Sequence, residues 1–391
     1  MERVYLDHAA TTPPFEQVVD AMADFLRYHY GNPSSLHSFG SEAKTYLGQA
    51  RQDVAELINA APEEIFFTSG GTEADNIAIL GSFAKTPKKH LITSAVEHHA
   101  VLDTCEYLHG QGFEVTVLPV DEFGMVQPHI LEQALRDDTF LVSIMHANNE
   151  VGTVNPIGEL VQLAHAAGAL FHVDAVQSVG KIEVDVAKLG VDMLTYSAHK
   201  INGPKGVGAL YKRKGLELQR QIHGGGQEGK LRSGTENLSG IVGFGVAAAI
   251  TRANWLKEAE FLCSLRDAFV KDVLQKIPDS RLNGHPTQRL PHNANLSFNY
   301  IEGEALLLHL DMQGIAASAG SACSSGTQAP SHVLKAMNLP DNWLSSAIRF
   351  SLGHGIEKQA LDYVVEVLQD KVALLRKASP YYKNINYSTD I

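Results

Sequence analysis

Cysteine is scarce in this chain. Among 391 residues there are three, Cys105, Cys263 and Cys323. An odd, sparse set builds no disulfide framework and points to a reducing compartment. Positive charge is also short: 32 Lys and Arg stand against 44 Asp and Glu, a net charge of −12 with His neutral. That excludes the basic footprint of a non-specific nucleic-acid binder, though not docking on a partner that itself holds RNA. No apolar run reaches the length needed to cross a bilayer, and Met1 to Asp7 lack the layout of a signal peptide. A cytoplasmic protein without membrane contact is the expectation. Internal repeats and low-complexity segments are absent. So is any Cys/His spacing typical of zinc, and no metal site is expected.

What is present is an ordinary globular composition and a length sufficient for two domains. From Ile65 to Tyr211 short apolar runs alternate with helical patterns. Strands are expected at Ile65–Thr68, from His90 towards Glu97, and at Glu114–Val120. Others are expected at Phe140–His146, in the run ending at Asp174, and on either side of the turn between Tyr196 and Val207. Helices are expected near 15–30, 41–59, 102–111, 130–135 and 157–167. This order is that of an α/β domain with a mainly parallel sheet. Further on, a helix covers 241–276, and the stretch 278–291 reads as loop. A strand follows at Asn295–Tyr300, then a helix at 303–312, a strand-like run around Arg349 and a last helix at 358–378.

Lys200 lies in the polar turn between two strands, bounded by Gly203 and Pro204. A lysine there does not snorkel away as a surface lysine does. Schiff-base chemistry needs such fixed placement in a low-water pocket that depresses the amine's pKa. Alone, Lys200 is more readily a turn residue than a catalytic one. Asp174, delivered to the tip of a strand, changes the balance. Pyridoxal phosphate (PLP) chemistry uses such a pair, a lysine for the aldehyde and a carboxylate for the pyridinium nitrogen.

Other polar residues fall after strand ends, where open α/β sheets bind ligands. Ser69-Gly-Gly-Thr72 opens a helix, which suits an anion site; a plain capped turn is the alternative. The Glu97-His98-His99 cluster puts one ring in the cleft or only caps a turn. Asn149, Gln177 and Ser197 to Lys200 complete the set. The glycine-rich stretch 223–237 is a flexible loop, or one that reaches into a phosphate site, even a neighbouring subunit's. Cys105 and Cys263 read as small buried hydrophobes in helices. Cys323, among small polar residues, is placed as a nucleophilic thiol would be. Arg349 is an edge salt bridge or a clamp on a substrate carboxylate.

Taken together the motifs LDHAATTP, GNPSS, FTSGGTEADN, EHHAVLD, HANNEVGTVNPI, HVDAVQSVGK, SAHKINGPKGVGALY, GGGQEGKLRSGTEN, SAGSACSSG and IRFSLG resemble the cysteine desulfurases of the NifS/IscS type. These are class V aminotransferases within the fold-type I PLP enzymes. The resemblance runs over nearly the whole chain. It implies a large PLP-binding domain over 13–254 with a mainly parallel seven-stranded sheet. It also implies a smaller α+β domain from 1–12 and 255–391 carrying the cysteine loop.

The resemblance implies roles as well. Lys200 would hold PLP and shuttle protons. Asp174 would pair with the pyridinium nitrogen, His98 would stack on the ring, and Gln177 would bond its phenolic oxygen. Gly71, Thr72, Ser197 and His199 would hold the phosphate, with Thr235 reaching across a homodimer. Asn149 and Arg349 would take the carboxylate of L-cysteine. Cys323 would accept the sulfur as a persulfide and pass it to an acceptor protein, and it is a conceivable transient iron–sulfur ligand. The loop AGSAC fits the long-loop branch. The tail 383–391 does not resemble the tail by which IscS engages its scaffold, so an iron–sulfur scaffold and a tRNA-thiolating enzyme both stay open as acceptors. A selenocysteine lyase or transaminase on the same fold, and a non-catalytic binding subunit, are the competing readings.

Overall fold

The computed structural model describes residues 3–83, 86–319, 330–380 and 382. Cys323 and the tail from 383 lie outside the described residues. The strands in chain order are β1 (Val4–Tyr5), β2 (Ile65–Thr68), β3 (His90–Ser94), β4 (Glu114–Leu118), β5 (Thr139–Ser143) and β6 (Leu170–Asp174). They continue with β7 (Met193–Ser197), β8 (Gly208–Lys212), β9 (Ser280–Asn283), β10 (Asn293–Phe298), β11 (Ile315–Ala316) and β12 (Ala347–Ser351).

Seven strands make the main sheet, in the order β2-β8-β7-β6-β5-β3-β4. The neighbours from β4 across to β7 pair in parallel, and β8 runs antiparallel to both β7 and β2. The expected mainly parallel seven-stranded sheet is what forms. Helices cover both faces, so β3, β5 and β7 are buried along their whole length, polar residues such as His90 and Thr195 included, and show no alternation of burial. At the edge, β4 is mostly open to solvent, with Glu114 and Val117 exposed and only Leu118 buried. The chain leaves β3 for β4 and returns to β5 on the other side of β3. That switch leaves a crevice at the carboxyl ends of the strands.

A second sheet, β12-β10-β9, is antiparallel; the pair β1-β11 is a short sheet of its own, and single bridges from Asp7 to Ser351 and from Ser318 to Arg349 tie the N-terminal arm and the segment after β11 to β12. One 39-residue helix, Leu238–Lys276, serves two cores. Its first half packs Ile241, Phe244 and Ala248 against the main sheet. Its second half packs Leu262, Phe269 and Val273 with Leu296 and Phe350 of the small sheet. At 1.5 Å per residue it is roughly 58 Å long, enough to reach from one core to the other.

The fold departs from the sequence reading in four places. The strand expected towards Glu97 stops at Ser94, and the next helix begins at His99, because His98 caps it by taking the Ala100 N–H on Nδ1 at 3.1 Å. The stretch expected to be loop contains β9, whose Ser-Arg-Leu-Asn has no apolar pattern of its own and pairs through β10. Cys263 is only half-buried, and its sulfur takes a hydrogen bond from Arg266 Nη2 at 3.1 Å, unlike the fully buried Cys105. The glycine-rich stretch is held in place around Glu228.

Candidate active site

One cavity of about 290 Å³ gathers Gly71, Thr72, His98, Asn149, Asp174, Gln177, Ser197, His199, Lys200 and Arg349. Nine of these residues come from five strand ends of the main sheet and the loops after them, as the sequence order anticipates, and Arg349 comes from inside β12. Among the described residues expected in the site, Thr235 alone lies elsewhere in this chain, in a pocket of about 240 Å³ beside Ser69, Gly206 and Asn237. A larger cavity of about 890 Å³, lined by Arg3, Tyr5, His8, Lys205, His354 and Tyr363, contains neither Lys200 nor Asp174.

Lys200 ends a single turn of 3-10 helix, Ala198–Lys200, directly after β7. Asn202 follows at φ +61°, and Gly203 packs so close to Ala198 that a Cβ would lie 2.8 Å from its carbonyl oxygen. The turn therefore has one tight course and fixes the lysine backbone. Lys200 Nζ donates to the carbonyl oxygens of Ala9 at 2.6 Å and Ala10 at 2.8 Å. Gln177 Nε2 donates to the same Ala9 oxygen at 2.9 Å. Thr12 seats the arm against the turn by donating to the His199 carbonyl at 2.8 Å.

Asp174 is 6% exposed at the tip of β6. Burial pushes its carboxyl up, while His98, the Val176 N–H and Lys200 draw it back towards the ionised form. The Val176 N–H donates to Oδ1 at 2.9 Å. His199 Nδ1 lies 3.2 Å from Thr11 Oγ1. Burial first, then Lys200 and Lys205, lowers this histidine to about 4, so it is neutral at pH 7. At the far end Arg349, 3% exposed, pairs with Asp7 at 2.9 Å through Nη2 and donates from Nη1 to the Asn149 carbonyl at 3.0 Å. Its Nε is buried without a hydrogen-bond partner among the described residues. The edge salt bridge and a free donor thus coexist on one guanidinium.

This donor set fits PLP. Gly71 opens the 13-residue helix Gly71–Phe83, whose N-terminus with Thr72, Ser197 and neutral His199 suits a phosphate. A Cβ at Gly71 would come 2.8 Å from Val176 Cγ2, so the backbone lies closer there than any side chain allows. Asp174 suits a protonated ring nitrogen, and Lys200 lines the same cavity. Gly71→Ala should therefore lower stability by roughly 1–3 kcal/mol, an overpacking cost. Urea unfolding of the cofactor-free protein checks this.

The sequence reading passed over Ala9, Ala10, Asp75, Glu150 and His332, all on the cavity wall, and placed only one of His98 and His99 there where both occur. Glu150 accepts a hydrogen bond from Ser331 Oγ; burial pushes its carboxyl up, and Ser331, His332 and Arg349 pull it down. Alanines give no side-chain signal for a role played by their carbonyls. Glu150 stands inside the HANNEVGTV motif, where its burial was the missing cue. Among the described residues no group of three or more His, Cys, Asp or Glu is placed to hold a metal ion, and no helix is long and apolar enough to cross a membrane.

The family model for aminotransferase class-V matches residues 4–364. The cysteine desulfurase IscS of Dictyoglomus turgidum is 53% identical over 97% of this chain and 96% of its own length. The cysteine desulfurase IscS of Methanosarcina thermophila is 50% identical over 96% of this chain and 94% of its own. A solved structure of a NifS-like protein superposes with a TM-score of 0.90 at 39% identity, covering 96% of this chain and 100% of that one. With its fold, its lysine–aspartate pair and its anion cradle, this chain belongs to the PLP-dependent class-V aminotransferases, and among them to the NifS/IscS type.

Proposed function

We propose that this chain is a cysteine desulfurase. It converts L-cysteine to L-alanine with PLP as cofactor and leaves the sulfur on Cys323 as a persulfide for transfer to an acceptor protein. The supporting observation is the convergence of Lys200, Asp174, His98 and Arg349 on one cavity, in a chain about half identical to cysteine desulfurases along its length. PLP, when bound, supplies the electron sink that labilises bonds at the substrate's Cα and Cβ.

The chain's own groups do the rest. Arg349, through its unpartnered Nε, and Asn149 orient the substrate carboxylate. Gln177 and His98 fix the cofactor ring. Asp174 keeps a proton on the ring nitrogen. Lys200 Nζ, when it is not bonded to the arm carbonyls, moves the proton at Cα. In the net reaction the Cβ–S bond of L-cysteine breaks, a hydrogen takes the place of sulfur on Cβ, and an S–S bond forms at Cys323.

The acceptor is an iron–sulfur scaffold or a tRNA-thiolating enzyme. The working form is a cytoplasmic homodimer in which Thr235 reaches the partner's phosphate end. The chain divides into a large domain, 13–254, and a small one, 1–12 with 255–391. The two cores along the helix Leu238–Lys276 support that division.

Purified protein given PLP and L-cysteine, with a dithiol to release sulfide, should form alanine and sulfide in equal amounts. Cys323→Ala should lose both and keep the cofactor band. Undiminished turnover in Cys323→Ala would favour transamination, and a strong preference for selenocysteine would favour a lyase. Absence of any cofactor band would leave a binding subunit.

A further inference from the structure

Asp75 is a buried acid that the reaction above leaves without a task. It lies on the helix Gly71–Phe83, 1% exposed, on the wall of the cavity that also holds Asp174. Its Oδ1 is buried without a hydrogen-bond partner among the described residues. Glu97, 0% exposed, stands near both; Ser94 Oγ and the Met145 N–H bond to its Oε1, and its Oε2 also lacks a partner. Three carboxyls sharing one buried region cannot all ionise.

The surroundings choose among them. Behind Asp75 runs a polar chain across three strands. Ser143 Oγ lies 2.8 Å from His172 Nδ1, His172 Nε2 lies 3.0 Å from Thr195 Oγ1, and Thr195 hydrogen-bonds Asp75. His172 is fully buried, which lowers it to about 3, so the ring is neutral and brings Asp75 no positive charge. Its Nε2 stands 3.6 Å from Asp75 Oδ1. The groups acting on Asp75 are thus a hydroxyl, a neutral imidazole and two acids. Asp174 has a backbone N–H at 2.9 Å and both His98 and Lys200 beside it.

We propose that Asp75 is a positioning residue, a carboxylic acid that keeps its proton beside Asp174 so that Asp174 is the single ionised carboxylate under the cofactor's ring nitrogen. The proposal rests on the PLP reading of the cavity. Burial first and then Asp174 push the Asp75 carboxyl well above the usual range, and burial pushes Glu97 up to about 8. The titratable groups facing this region are Asp174 and His172 from β6, Glu97 after β3 and Lys200 after β7. His98 caps the next helix, and Cys105 within it is pushed up to about 12, chiefly by burial. An ionised Asp75 would place a second negative charge beside the ring, where it would compete for the proton that Asp174 is there to hold.

The test is Asp75→Asn, nearly isosteric and neutral. Above about pH 4 the unfolded parent gives up the Asp75 proton that the folded parent keeps, so parent stability falls as pH rises. Asparagine has no such proton, and Glu97 acts equally in both proteins. The folded-to-unfolded ratio of the cofactor-free variant, relative to the parent, should grow about tenfold per pH unit between pH 5 and 7. A ratio independent of pH overturns the proposal.

In the PLP-loaded protein, the pH midpoint of the visible band should stay within about 0.3 unit in Asp75→Asn, because one neutral group replaces another. It should move by a unit or more in Asp174→Asn. A shift of a unit in Asp75→Asn means Asp75 was charged, and overturns the proposal. Failure of both proteins to develop a band overturns it together with the PLP reading. Absence of sulfide from L-cysteine with the band intact removes only the desulfurase assignment.

Discussion

Lys200→Ala is expected to lower alanine and sulfide formation from L-cysteine by roughly 10⁴-fold, the upper end of what one positioned acid–base group contributes. In the proposed reaction Lys200 has two tasks, holding the cofactor and moving a proton at Cα, and no other described amine lines the cavity. The substitution removes hydrogen bonds to two backbone oxygens, Ala9 at 2.6 Å and Ala10 at 2.8 Å. Each is worth about 1 kcal/mol net. The arm keeps its other ties, from Thr12 to His199 and from Gln177 to Ala9. The variant should therefore fold, with a melting curve close to the parent's, and be inactive. Turnover within tenfold of the parent would show that Lys200 does not move the proton. A protein that fails to fold would show that the lysine's main task is to seat the arm.

The parts of this site that the sequence displays are those written in side chains next to strand ends. Apolar runs such as Phe140 to Ser143 and Phe171 to Val173 announce buried strands, and the polar residue after each is then a candidate for the crevice. Lys200, Asp174 and His98 were legible in that way. What stayed hidden depends on chain separation. Lys200 meets Ala9 across 191 residues of sequence, and Arg349 meets Asp7 across 342. Ala9 and Ala10 act through their main chain, where every residue type looks alike.

Strand β9 was hidden for a related reason. Its Asn283 pairs side chain to side chain with Asn295 and Ser297 at 2.8 Å each, a polar core that no apolar period reveals. Asp75 and Glu150 sat in plain view within motifs. A carboxylate in a helix or loop reads as solvent-facing until its burial is known, and burial is what gives these two their chemistry.

Glu228 shows the same blindness at its largest energetic scale. In sequence it belongs to a stretch too polar and glycine-rich to count as core, yet its side chain is 2% exposed. Arg51 meets it with two parallel bonds, Nη1 to Oε2 and Nη2 to Oε1, both 2.7 Å. The Phe67 N–H adds a third at 2.9 Å, and the guanidinium lies 4.8 Å above the Phe67 ring. The pair also holds Glu228, Gly229 and Lys230 in successive left-handed conformations, two of them costly for a residue with a Cβ.

Arg51→Met keeps most of the volume and removes the counter-charge, leaving a carboxylate buried with a single backbone donor. The expected loss is about 3–5 kcal/mol in urea unfolding, the range for breaking one side of a buried pair. Adding Glu228→Gln to that variant should recover part of the loss, because an amide in the same place carries no charge to strand. A double variant no more stable than Arg51→Met would mean the pair is not the origin of the cost. Neither residue lines the cavity of Lys200, so folded Arg51→Met should keep the chemistry of that cavity, and any fall in turnover should come with weaker cofactor binding through Thr235, whose pocket Glu228 lines. Lys200→Ala and Arg51→Met thus separate the two demands on this chain, one sparing the fold and ending the chemistry, the other sparing the chemistry and loosening the fold.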